Sequence, residues 1–404
     1  MVNRVISGTA PDRVRRRGPS CDGEQVRPWR ITLQGAAAMA AAMGVGRFAY
    51  TPILPLMHAQ AGMSPQLGSA LATANYAGYL AGALAGIAVP ALTRSRAALR
   101  VSLVLVTVTL ALMPVTRDGS VWFTLRLVAG AASALVFVIA AGTLITALRR
   151  HGDQLTGWGF GGVGAGIALS GAVVLALRGG DTWQQAWYIA AGLSLLLMIP
   201  AWRLPTAVGR AGDRRAPSPS GPQMPDAARR HGFAALLVSY SLEGFGYIIA
   251  GTFLVVAIDQ SAPDWVGTSA WILAGLAAVP SAALWAGLSR RWSRSSLLTA
   301  ALLAQAVGIA LPALVGGVGA ALASAALFGG TFLGIATLAL AIGARIGTPR
   351  AVAVLTAGYS AGQIAGPLVV TPLLHTGYHQ ALFAGAAVVA LAAVAAGLLR
   401  GRVR

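Results

Sequence analysis

Residues 120–147 read SVWFTLRLVAGAASALVFVIAAGTLITA and carry a single ionisable side chain, Arg126. A helix needs roughly 20 apolar residues to cross about 30 Å of hydrocarbon. A spanning segment must also be helical, because lipid leaves unpaired backbone amides unsatisfied. This stretch therefore reads as a transmembrane helix. Working outward, comparable runs fall at about 31–57, 66–92, 98–115, 155–177, 183–202, 233–257, 266–288, 296–315, 320–344, 351–373 and 377–399. With 120–147 that makes twelve, and the expected class is an all-α membrane protein.

Composition agrees. Hydrophobic residues make up 56% of the 404 and charged residues 10%, against about 25% charged in a soluble domain. So few ionised groups could not cover a water-facing globule of this size, so lipid must cover most of the surface.

The connections alternate in charge. With the N terminus inside, 26 of the 30 arginines fall in cytosolic segments, while the opposite loops hold Arg117 and Arg178. That asymmetry is the positive-inside pattern, and a span missed in the middle would scramble it. The expected location is the bacterial inner membrane, multi-pass, with both termini cytoplasmic. Trp29, Trp122, Trp183, Trp187, Trp202, Trp265 and Trp292 fall near expected span ends, as interfacial rings do.

The net charge of +19 does not point to nucleic acid, because the arginines are scattered between apolar blocks and form no basic module. One cysteine, Cys21, excludes an intramolecular disulfide, and the five histidines, read as lying at or near loops, match no metal spacing. No metal or other cofactor is expected. No Ser/His/Asp set, carboxylate pair or phosphate-binding GxxxxGK loop is present, and the chain has no lysine. Catalysis and ATP hydrolysis by this chain are accordingly not expected.

The organisation read from the sequence is a disordered, basic, cytoplasmic leader at 1–30, which the membrane domain does not need, six spans at 31–202, a Pro/Ser/Gly/Arg-rich cytoplasmic linker at 203–232, six spans at 233–400, and a cytoplasmic tail at 401–404. The halves echo one another. MGVGRFAYTP around the first span parallels EGFGYIIAGT around the seventh, with Gly44 and Gly46 standing 200 residues before Gly244 and Gly246. Glycine spacings in the fifth span (GGVGAGIALSG) and the eleventh (GYSAGQIAGP) add to the parallel. Small residues at such spacing let helices approach closely in lipid, and paired halves around a central path are a common carrier plan.

Twelve spans, a central loop and glycine-rich fifth and eleventh spans resemble the major facilitator superfamily. The segments GVGRFAYTPILPLM at 44–57 and YSLEGFGYIIAGTFL at 240–254 are similar to signatures of its YbfB/YjiJ-type bacterial branch. The resemblance implies two pseudo-symmetric six-helix bundles. It also implies secondary active transport of a small organic solute by alternating access; a monomer is the simplest expectation, and a proton is the coupling ion expected from Glu243 below. A sensor or scaffold on the same fold is the alternative. Arg126 and Gly130 in LRLVAGAA match the family's fourth-span pattern, which implies a gating or coupling role. The usual acidic residue after the second span is missing from GIAVPALTRSR, and GLSRRWSR at 287–294 lacks it as well.

Three ionisable residues stand at apolar depth: Arg47, Arg126 and Glu243. Charge facing lipid is costly, so these should face the interior or one another. Glu243 lies about 15 Å into its span, with Tyr240 and Tyr247 on the same face at i−3 and i+4. It is read as a proton-coupling or solute-binding carboxylate, the other reading being an ion pair with an arginine. Arg47, at similar depth, suits a carboxylate or phosphate on a solute, or pairing with Glu243, or a packing role. Tyr50 lies at i+3 from it, and Pro52 and Pro55 should bend or end the outer half of that helix. Arg126 is shallower, so snorkelling to the interface could also satisfy it. Asn75, Tyr76, Tyr79, Trp158, Trp271, Tyr359 and Gln363 are further polar or aromatic candidates, Gln363 standing in apolar sequence where it needs a partner.

Overall fold

The computed structural model describes residues 27–148, 153–177, 182–206, 226–260, 262–346, 351–375 and 377–399. The expectations for most of the leader, the centre of the linker and the tail lie outside the described residues. Regular structure among the described residues is helical throughout. The helices are α1 (Pro28–Met39), α2 (Tyr50–Ala61), α3 (Pro65–Ala88), α4 (Pro90–Thr93), α5 (Arg96–Leu112), α6 (Gly119–Leu148), α7 (Asp153–Phe160), α8 (Gly162–Ala176), α9 (Trp183–Ala201), α10 (Asp226–Asp259), α11 (Asp264–Leu288), α12 (Arg294–Leu314), α13 (Gly317–Ile346), α14 (Ala351–Val370) and α15 (Tyr378–Gly397).

Helix ends follow local chemistry. The Ser64, Ser95 and Ser293 side chains accept amide hydrogens of α3, α5 and α12, and Thr182 forms a capping box with Gln185 at the start of α9. Asp118 accepts from the amides of Ser120 and Val121. These amide bonds, Val121 first, hold its exposed carboxyl below the usual carboxylate range.

Eight helices among the described residues are long and apolar enough to cross a bilayer: α5 with its 3-10 extension, α6, α7 with α8, α10, α11, α12, α13 and α15. Of the other four expected spans, the first is broken, α3 and α9 mix polar and glycine residues into their apolar sequence, and α14 runs as a helix over most of the expected 351–373. Asn75, Tyr76 and Tyr79 lie on α3, and Tyr359 and Gln363 on α14. Three of these four segments carry candidate site residues. In addition, α10 begins at Asp226, inside the expected linker, because DAARRHG is rich in helix formers.

Packing follows a repeating plan. Helix α3 packs on α6 as α11 packs on α13, and α5 packs on α6 and α9 as α12 packs on α13 and α15. The N-terminal helices meet the C-terminal ones mainly through α8 on α11 and α3 on α14. Exposed aliphatic side chains gather on the equivalent helices α5 (Val101, Val104, Val108), α9 (Leu196, Ile199), α12 (Leu303, Val307) and α15 (Leu391, Val394). Those faces form the hydrocarbon-facing surface. The glycine parallel also has a counterpart in packing. A Cβ at Gly44 would strike Gly166, and one at Gly244 would strike the Tyr359 carbonyl. First and seventh segments thus approach the fifth and eleventh at equivalent points.

Candidate functional site

The site begins with a defect in the first span. Expected as one helix over 31–57, it runs as α1, a π turn at Ala40–Val45, an irregular turn over 46–49, and then α2. Gly46 and Phe48 donate to carbonyls five residues back, on Ala41 and Met43. Pro52 has no amide for the Phe48 carbonyl, which accepts instead from Thr51, 3.2 Å away. Thr51 is thereby diverted from the Arg47 carbonyl. The break thus precedes the prolines, while Pro55 lies inside α2.

Arg126 fills that gap. It is 2% exposed, and its guanidinium donates to the Gly46 carbonyl at 3.5 Å and the Arg47 carbonyl at 3.4 Å, over the Tyr50 ring at 4.6 Å. Snorkelling is therefore not how this cation is satisfied. Asn75 donates to the Arg126 carbonyl at 3.0 Å, and Tyr50 donates to the Gly68 carbonyl at 2.8 Å. Tyr50 thus sits under Arg126 and is not directed at a site beside Arg47.

The break aims Arg47 inward, where it is 3% exposed. Its Nη2 donates to the Gln363 amide oxygen at 2.8 Å, and the Gln363 amide nitrogen donates to the Tyr247 hydroxyl at 3.2 Å. Three rings surround the guanidinium: Tyr79 at 4.4 Å, Tyr76 at 4.8 Å and Phe48 at 5.5 Å, each contributing a cation–π attraction. Its Nε is buried without a hydrogen-bond partner. The chain Arg47–Gln363–Tyr247 links the first span to α14 and α10.

Beyond it lies an aromatic layer. The Tyr247 ring stacks with Tyr359 at 5.8 Å, Phe332 at 5.9 Å and Phe328 at 6.0 Å, and Tyr359 stacks on Tyr240 at 4.5 Å. Glu243 lies between Tyr240 and Tyr247 on α10, 1% exposed, and neither carboxyl oxygen has a hydrogen-bond partner. Tyr240, Tyr247 and Tyr359 lie within electrostatic range of it, and the Gln305 amide on α12 is its polar neighbour. The ion pair of Glu243 with Arg47 weighed from the sequence is not formed, because Gln363 takes the guanidinium instead. The tyrosines on its face turn to ring stacking and to Gln363, and donate nothing to the carboxyl.

The structure thus brings Arg47, Gln363, Tyr247, Tyr359, Tyr240 and Glu243 into one region, with Arg126, Tyr50 and Asn75 bracing it. Trp271 is buried at 6.3 Å from Phe48, whereas Trp158 is half exposed and stands apart. Sequence reasoning missed Phe48, Thr252, Gln305, Phe328 and Phe332. Gln305 carried a usable signal as the polar interruption of ALLAQAVGIA; the phenylalanines carried none. His58 sits within α2, 2.7 Å from the Met63 carbonyl, and is not a loop residue.

Beyond Arg47, α2 and α3 are stitched to α10, α14 and the turn that follows α14. Thr51 donates to the Gly251 carbonyl, and Tyr76 bonds Thr252 at 2.7 Å. Ser69 bonds the Pro367 carbonyl at 3.1 Å and Thr371 at 2.8 Å, and Gln66 bonds His375 at 3.0 Å. These bonds join the two halves at this end.

The family model described as "Uncharacterised MFS-type transporter YbfB" matches residues 39–397. The chain belongs to that family. Membership in this MFS-type family makes it a multi-pass membrane transporter of small molecules and not an enzyme. Among solved structures, it is similar to the nucleoside transporter NupG (D323A mutant), at 14% identity and a TM-score of 0.66, over 92% of this chain and all of that one. Identity that low carries the fold and nothing about cargo. No curated protein matches the chain.

Proposed function

We propose that this YbfB-type chain is a proton-coupled secondary active transporter of a small organic solute, working by alternating access between two six-helix bundles of twelve spans. The observation that carries the reading is Glu243, a carboxyl enclosed at membrane depth with the Gln305 amide as its polar neighbour, in the same buried region as an under-compensated Arg47. Buried ionisable groups in spanning helices mark pathways and proton relays. Glu243 is the coupling group, and Arg47, Gln363 and Tyr247 receive cargo. The recurring helix neighbours support the two-bundle plan, and the stitched end supports a state closed to the outside. Both termini are cytoplasmic, the membrane is the bacterial inner membrane, and a monomer holds a complete path.

Counterflow in proteoliposomes tests this. Purified full chain should exchange labelled solute identified in a binding screen. Binding without exchange would favour the sensor or scaffold alternative and overturn transport.

A further inference from the structure

The buried cluster around Arg47 contains a charge imbalance that its own residues do not resolve. Arg47 is a buried cation whose hydrogen-bond acceptor, among the described residues, is a neutral amide, while its Nε has no partner. Three rings attract it, but a guanidinium keeps its charge in any environment, and rings with one amide leave that charge without an anion. Glu243 does not serve, since the Gln363 amide oxygen occupies Nη2 and the carboxyl is without a hydrogen-bond partner elsewhere.

Nε and Nη2 together form the lateral edge of the guanidinium, the edge that grips two oxygens of a carboxylate or phosphate side by side. Here one half of that edge is held by an amide oxygen and the other half is idle. We propose that the cargo is an organic anion whose paired oxygens take this edge, and that Gln363 is a placeholder displaced when cargo binds. The proposal rests on the transporter reading above and narrows it to a substrate class.

The placeholder also connects binding to the C-terminal helices. Gln363 holds Arg47 through its oxygen and the Tyr247 hydroxyl through its nitrogen. An anion that takes Nη2 frees the amide and, with it, the tie between the first span and α10. The rings of Tyr76, Tyr79 and Phe48 already flank the cation and give a planar cargo body apolar surface to rest on.

The test is binding to purified full-length protein in nanodiscs, followed by thermal unfolding and calorimetry, with benzoate, phenyl phosphate and benzylammonium as probes. At least one anion should bind and benzylammonium should not, and whichever anion binds distinguishes carboxylate from phosphate cargo. Binding should weaken about tenfold or more in Arg47→Gln, the loss of a charge-assisted pair. Gln363→Glu supplies an internal anion to the same edge. That variant should lose the probe while unfolding at a higher temperature than the parent, so the test survives if Arg47→Gln fails to fold. Binding of benzylammonium with neither anion, or anion binding unchanged in Gln363→Glu, would overturn the proposal and leave the transporter reading standing. Failure of counterflow with every solute that binds would instead remove the transporter reading.

Discussion

In the proposed orientation, loosening the stitched end should expose the buried cluster to the outside by a calculable amount. The triple variant Thr51→Val, Ser69→Ala, Tyr76→Phe removes the bonds to Gly251, Pro367, Thr371 and Thr252. Few acceptors are orphaned, since the Pro367 carbonyl keeps its bond from Thr371 and Thr252 still donates to Ile248. Each of the four lost bonds therefore sits near the membrane-interior average of about 0.6 kcal/mol. The three substitutions together give about 2–3 kcal/mol, or roughly 30- to 150-fold in the ratio of open to closed states. A reporter can be placed at Gly251, where an added Cβ meets Ile248, Phe328 and Tyr247 at 3.6–3.8 Å, ordinary contact distances. With the natural cysteine removed as Cys21→Ser, Gly251→Cys should react slowly with a membrane-impermeant maleimide added outside cells. In the triple variant the rate should rise by tens of fold. A rate within twofold of the parent would refute the claim that these bonds hold the outer end shut.

Three further outcomes follow from the packing. Gly244→Val drives a side chain into the Tyr359 carbonyl and should cost about 1–3 kcal/mol of stability, read as a lower thermal midpoint, where Gly251→Cys leaves it unchanged. Arg126→Met strips the Arg47 carbonyl of its donor and should destabilise the protein by about 1–3 kcal/mol while weakening probe binding at Arg47; unaltered binding would mean that the staple does not position Arg47. Pro52→Ala returns an amide to the Phe48 carbonyl, so it should steady the first span, slow counterflow and leave the thermal midpoint equal or higher.

Much of this could be read along the chain. Depth and charge alone singled out Arg47, Arg126 and Glu243, because hydrocarbon penalises ions wherever they occur. The alternation of arginines oriented the expected spans for the same reason. What stayed hidden depended on contacts between distant segments. Nothing in the sequence tells Arg47 that its acceptor is Gln363, 316 positions away, or that Arg126 will turn to backbone carbonyls exposed by a break in the first span. The break itself was half legible: Pro52 announced a missing amide, but the π turn before it is a response of the backbone to packing.

The account stands or falls on Glu243 as the group that ties proton movement to cargo. The decisive measurement is accumulation of a counterflow-competent solute in proteoliposomes under an imposed pH gradient, comparing the parent with Glu243→Gln. The parent should concentrate the solute and lose that ability when the gradient is collapsed, while Glu243→Gln should exchange solute without concentrating it. Equal gradient-driven accumulation by both proteins would contradict the account.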